Sequence, residues 1–175
     1  MGTVLLFPTE AEAAPLRSLR PDLDIRICGV GAAQTARFMH RLLSREHPRT
    51  VVLCGIAGAY GDTPRIGETV TVASERMAGV PAPFDEEYAA DVRFDALARV
   101  ASNTVAVPGA PACGAAIENM EGAVVFAMCR AAEVMCGEIR AVSNRVADTR
   151  PEWKIPAAIG KLTETLTEIF RENES

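Results

Sequence analysis

Four consecutive positions, Val51-Val52-Leu53-Cys54, are apolar without exception. A strand with one wet face alternates apolar and polar residues, so an unbroken apolar run of this length is the pattern of a strand covered on both sides. Such a strand needs a sheet with helices on each face. The rest of the chain supplies candidates for both. Residues 3–7 read as a first strand rather than a signal peptide, because no basic stretch precedes them. Thr9 can cap a helix in which Glu12 falls at the capping-box spacing. Residues 25–28 form a second strand, followed by Gly29-Val30-Gly31 and a helix over 33–44. Residues 68–74 alternate Val70 and Val72 with threonines, as a strand with one wetter face does. The stretch 77–87, rich in Pro, Gly and acids, is a loop. A short helix is expected over 95–102, with strands over 104–107 and 115–118. A buried helix over 121–135, a strand over 138–142 and a last helix from 155 or 156 to 170 complete the order. No repeat, low-complexity tract or linker divides residues 1–175, so one α/β domain is expected, with ligands bound beyond the strand ends.

Composition excludes several function classes. At 49% hydrophobic residues the chain is not disordered, and no apolar run approaches the length of a membrane span. A net charge of −5 with scattered arginines rules out the basic face that nucleic acid requires. The five cysteines, Cys28, Cys54, Cys113, Cys129 and Cys136, are odd in number and contain no Cys-x-x-Cys. They read as structural thiols of a reducing, cytoplasmic compartment. His40 and His47 have no metal-ligand spacing and read as solvated residues of a helix end.

The chemistry-bearing segments are few. Gly29-Val30-Gly31 follows a strand, but a dinucleotide fingerprint needs a third glycine where Gln34 stands. These glycines read as a tight turn with backbone amides facing a pocket. Gly55-Ile56-Ala57-Gly58 either lets a ligand approach the backbone or is merely a tight turn. Glu118-Asn119-Met120-Glu121-Gly122-Ala123 sets a carboxylate beside a thioether at the start of an apolar run. Arg140-Ala141-Val142-Ser143-Asn144 ends a short hydrophobic strand in a polar pair. Two such segments can close a pocket with a ribose on Met120 and Glu121 and a purine facing Ser143 and Asn144. Plainer readings remain beside these: Glu12 as a capping acid, Glu121 as an acid favoured by a helix dipole, and Glu118 as structural.

With Thr9-Glu10-Ala11-Glu12 and Ile66-Gly67-Glu68-Thr69-Val70 added in order, these segments resemble the nucleoside phosphorylase/nucleosidase superfamily over most of the chain. Asn119-Met120-Glu121-Gly122-Ala123, and Ser143-Asn144 followed by Arg150-Pro151-Glu152-Trp153-Lys154-Ile155-Pro156, look most like its futalosine hydrolase branch. The resemblance implies a three-layer phosphorylase/hydrolase-like fold, a central mixed sheet flanked by helices. It implies hydrolysis of the N-glycosidic bond of a 6-oxopurine nucleoside, most closely futalosine of menaquinone biosynthesis, with no metal and no organic cofactor. Glu12 then corresponds to the base that activates water. Glu121 corresponds to the residue holding the ribose hydroxyls, Met120 to the one beneath the sugar, and Ser143 and Asn144 to the pair at the purine edge. Gly55, Ala57 and Gly58 line the substrate side. The small-molecule nucleoside is the expected partner, with neither nucleic acid nor membrane, and a homo-oligomer is the rule among such relatives.

Asn144 carries the discrimination. Adenine-specific relatives have an aspartate there, whereas an amide donates to a 6-oxo group and accepts from a protonated ring nitrogen. The chain departs from the family in length, with material missing around 77–95 and 108–115, where relatives place an aromatic wall; Phe84 and Tyr88 are the candidates to replace it. Futalosine carries a benzoate, for which Arg65, Arg76 and Arg145 are candidate partners. The alternatives are a purine nucleoside phosphorylase with Arg65 at a phosphate, an adenine-type 5'-methylthioadenosine/S-adenosylhomocysteine nucleosidase, and a non-catalytic nucleoside-binding relative.

Overall fold

A computed structural model describes residues 2–171. At its centre lies the apolar run 51–54, within a ten-residue strand, β3 (Thr50–Ala59). Successive side chains of a strand point to opposite faces, and β3 buries both sets. Val51 and Leu53 enter one hydrophobic cluster, while Val52 and Cys54 enter the other. Preceding it are β1 (Thr3–Phe7), α1 (Glu10–Leu19), β2 (Asp24–Ile27) and α2 (Ala32–Arg45). Following it come β4 (Thr69–Met77), β5 (Glu87–Ala89), β6 (Ala98–Thr104), β7 (Ile117–Asn119), α3 (Gly122–Ala131), β8 (Met135–Arg145) and α4 (Ile155–Ile169). Met39 and Leu42 of α2 and Val125 and Phe126 of α3 pack the first cluster. Leu16 of α1 and Leu162 and Leu166 of α4 pack the second. Three layers result, with the mixed sheet in the middle. Each buried Leu or Phe removes enough apolar surface to contribute about 1.5–3 kcal/mol, which is why both faces must be covered.

The sheet is not a simple stack. β8 runs parallel to β3 along its whole length. The other side of β3 is shared, by β1 at residues 50–53 and by antiparallel β7 at residues 58–59. β7 pairs with β6, β6 with β4, and β4 with β8. Five strands therefore close a ring, from which β1 and β2 extend as a parallel wing.

Several boundaries differ from the sequence reading. The helix expected over 95–102 is a turn followed by β6, because residues 98–104 pair in parallel with β4. Alanine, leucine and arginine favour helix there, and the tertiary pairing overrides that weak preference. The strand expected over 104–107 ends at Thr104, and the loop expected over 77–87 runs into the short strand β5. The buried helix stops at Ala131 rather than 135, where Glu133 takes a left-handed backbone conformation and turns the chain into β8. No helix among the described residues is long and apolar enough to cross a membrane.

Candidate active site

Where β3 opens toward the ring, a cavity of about 360 Å³ forms. Glu12, Ala57, Gly58, Met120, Glu121, Ser143 and Asn144 all line it. Segments separated by more than a hundred residues thus meet on one wall, and each side chain has a local reason for its position.

Thr9 caps α1 as expected, its Oγ1 accepting from Glu12 N at 3.3 Å. The Glu12 carboxylate takes no hydrogen bond from the Thr9 backbone amide, so no capping box forms. It crosses to β3, where Oε1 accepts from Ile56 N at 3.0 Å, and Oε2 accepts from Thr9 Oγ1 at 2.5 Å. Gly55 stands behind the cavity and does not line it. A Cβ there would sit 2.6 Å from Arg140 Nη1 and 3.0 Å from Glu12 Oε1, so the glycine leaves room for the side chains that do. Gly58 leaves room for Asn144 in the same way, with Nδ2 at 3.1 Å from a Cβ position.

Glu121 sits at the N-terminus of α3 without capping it. Asn119 Oδ1 accepts from Glu121 N at 2.8 Å and Gly122 N at 2.7 Å, and Thr104 Oγ1 accepts from Ala123 N at 2.6 Å. With the helix end satisfied by these neighbours, the Glu121 carboxylate is free to face the cavity. Its Oε1 accepts from Gly31 N at 3.0 Å, which places the glycine turn after β2 as the sequence suggested, with an amide toward the pocket.

Ser143 and Asn144 lie within β8, not at its end. The register with β3 slips between Ala57 and Gly58, which pair with Val142 and Asn144 and leave Ser143 as an extra residue. Strict alternation would send two consecutive side chains to opposite faces. The bulge lets both line the same cavity. Ser143 Oγ donates to Asn144 Oδ1 at 2.7 Å, and Asn144 Nδ2 donates to Arg145 O at 2.7 Å. One amide hydrogen and one lone pair of Asn144 stay available.

The sequence reading gave no role to Arg140, Glu138 or Glu75, all fully buried. Arg140 Nε donates to Glu138 Oε1 at 2.6 Å, Nη1 to Ile56 O at 3.2 Å, and Nη2 to Glu121 Oε2 at 3.4 Å. Burial works against the charge of Arg140, and the carboxylates of Glu138 and Glu121 outweigh it, raising the guanidinium above its ordinary value. The short contact to Glu138 and the long one to Glu121 mean that Glu138 does most of the neutralising. Behind Glu138 lies Glu75, which burial and then the Glu138 charge push well above the usual carboxylate range. Its carboxyl hydrogen-bonds Glu138 and accepts from Thr104 Oγ1 at 2.8 Å and from Asn119 Nδ2. The sequence signal was Glu138-Ile139-Arg140, two opposite charges two apart on one strand face in an apolar setting.

Other candidates fall elsewhere. Glu118 lines the cavity but is committed to Tyr60 Oη at 2.9 Å and Gly109 N at 2.9 Å, which pins the 105–116 loop. Phe84 and Tyr88 do not line the cavity; Phe84 is 76% exposed, and Tyr88 lies under Arg130. The aromatic residue on the wall is Trp153. Arg65, Arg76 and Arg145 are not on the wall either. Arg76 pairs with Asp85 and Glu87, and Arg145 donates to the carbonyls of Pro64 and Asp62. Cys28, Cys54, Cys129 and Cys136 are buried and Cys113 is exposed, all as free thiols. His40 and His47 are exposed.

Residues 99–171 match the Phosphorylase superfamily. The futalosine hydrolase of Acidothermus cellulolyticus is 32% identical over 79% of this chain and 71% of its own length. The chain belongs to the phosphorylase superfamily, in its futalosine hydrolase branch. A second member of that branch, from Thermus thermophilus, is 26% identical over 82% of this chain and 79% of the relative. The fold is shared more widely than the branch. An Arabidopsis thaliana 5'-methylthioadenosine nucleosidase superposes with a TM-score of 0.87 at 16% identity, covering 97% of this chain and 94% of that one. A futalosine hydrolase mutant of Helicobacter pylori gives 0.87 at 11% identity, covering 98% and 99%.

Proposed function

We propose that the chain hydrolyses the N-glycosidic bond of futalosine, releasing hypoxanthine. The observation that carries this is the convergence of Glu12, Glu121 and Asn144 on one cavity wall in a member of the futalosine hydrolase branch. Glu12 takes a proton from water as the water oxygen bonds to C1' of the ribose. The C1'–N9 bond breaks with its electron pair moving to the purine, and the hypoxanthine anion then gains a proton from solvent. Glu121 accepts from the ribose hydroxyls, and its negative charge favours the oxocarbenium-like sugar. Because Arg140 is neutralised chiefly by Glu138, the charge of Glu121 remains available for that role. Met120 packs beneath the sugar. Asn144 donates its spare amide hydrogen to the 6-oxo group and accepts from the ring N–H, so it stabilises the leaving base by hydrogen bonding rather than as an acid.

The test is hypoxanthine release from futalosine by the purified protein in phosphate-free buffer. Release that does not depend on phosphate is expected. Glu12→Gln should lower kcat by about 10²–10⁴-fold, the usual contribution of a positioned base. Release only on addition of phosphate would make the enzyme a phosphorylase, and unchanged turnover in Glu12→Gln would remove Glu12 from the chemistry.

A further inference from the structure

Two cations line the cavity, Arg140 and Arg150. Arg140 is buried and fully engaged. Arg150 is exposed, and no carboxylate among the described residues pairs with it. The acids closest in sequence are committed to other donors. Glu152 Oε2 accepts from both Thr149 N and Thr149 Oγ1 at 2.7 Å, and Asp148 Oδ2 accepts from Arg145 N at 2.7 Å.

The guanidinium of Arg150 lies 4.4 Å above the ring of Trp153, which is half-buried. The indole is oriented by Nε1 donating to Asp148 O at 3.3 Å. Lys154 N donates to Ser143 O at 2.7 Å, which ties the segment to the bulge that carries Ser143 and Asn144. Val30, Ile155 and Ile159 also line the cavity. The cavity lining therefore combines buried polar groups, Glu12, Glu121 and Asn144, with more exposed apolar side chains and a cation that no described carboxylate neutralises.

We propose that Arg150 and Trp153 form a subsite for an aryl carboxylate, the benzoate end of the substrate. This rests on the nucleosidase reading and names the group that distinguishes futalosine from simple inosine. Stacking on the indole occupies the face of the guanidinium and leaves its N–H edges free, the arrangement that pairs with a planar carboxylate through two hydrogen bonds. The aromatic ring of the substrate meets Trp153 and the isoleucines. Arg150 acts here as a specificity residue, remote from the bond that breaks.

Two measurements test this. In the first, the ratio of kcat/KM for futalosine to that for inosine is compared across variants. Arg150→Leu should lower the ratio about tenfold, the scale of one partly solvated charge-assisted pair. Arg150→Lys should recover part of it, because the charge remains and the planar fork is lost. Futalosine methyl ester should show the same loss with the unaltered enzyme, and Arg150→Leu should add little to it. The second measurement does not require turnover. The base-free product keeps the benzoate, and its binding should quench the fluorescence of Trp153, the chain's single tryptophan. The concentration required should rise about tenfold in Arg150→Leu. An unchanged ratio, or quenching unaffected by Arg150→Leu, overturns the subsite while leaving the nucleosidase standing. Absence of hypoxanthine release overturns the nucleosidase, and the quenching titration still decides the subsite.

Discussion

Asn144 is where a change of two atoms is expected to change the substrate. Its Nδ2 donates to the Arg145 carbonyl at 2.7 Å. A carboxylate placed there would set an oxygen against that carbonyl, and the conflict is relieved by holding a proton. Asn144→Asp therefore introduces an acid able to donate to a purine ring nitrogen, and removes the amide that suits a 6-oxo group. The variant should shift preference from futalosine toward its 6-amino counterpart by at least about tenfold, read from kcat/KM for the two, since buried polar groups discriminate strongly against an unmatched edge. An unchanged ratio would mean that Asn144 does not read the base. At this scale the sequence was informative about Glu12, Met120, Glu121, Ser143 and Asn144, because short motifs name chemically distinct side chains. It was silent on Arg150, whose role depends on a stacking partner and on acids that are occupied elsewhere. Gly55, expected on the substrate side, is absent from the cavity lining and leaves space for Arg140 and Glu12.

The elements show why α3 begins with glycine. On helix propensity alone, alanine at position 122 would gain about 1 kcal/mol. The structure reverses that sign. A Cβ on Gly122 would run into Glu75 Oε1 and lie 2.8 Å from Glu138 Oε2, and both carboxyls are fully buried and held by hydrogen bonds. Gly122→Ala should destabilise the protein by about 1–3 kcal/mol in denaturant unfolding, as overpacking does. A stabilised variant would show that the carboxyls can shift aside. Element order was largely legible from apolar periodicity and from glycine turns. The failures included 95–102, where helix-favouring residues are recruited into β6 by pairing with β4, and β8, where a bulge has no signature in a single sequence.

At the scale of the molecule, a buried row of ionisable groups runs from Glu121 through Arg140 and Glu138 to Glu75. The folded protein holds a proton on Glu75 that the unfolded chain, with its glutamate near 4.5, gives up. For a group raised on folding, stability is fully present below the unfolded value and is lost as pH climbs toward the folded one. Glu75→Gln needs no proton and can still donate to Glu138. The difference in Tm between this variant and the parent should widen in favour of the variant as pH rises above the unfolded value of about 4.5 and shrink below it. A difference independent of pH would place a charged Glu75 in the core. The three layers were foreseeable from β3 alone, but the ring of strands was not, since closure depends on which strands share the sides of β3. That closure has a consequence for self-association. Among the described residues the strand order ends at β2, four residues long, and at β5, three residues long. Arg26 of β2 is held in ion pairs with Asp24 and Glu46, and Glu87 of β5 pairs with Arg76. Short, charged margins of this kind offer no template on which another chain can add a strand, so any contact between copies of this protein is expected to form through helices and loops.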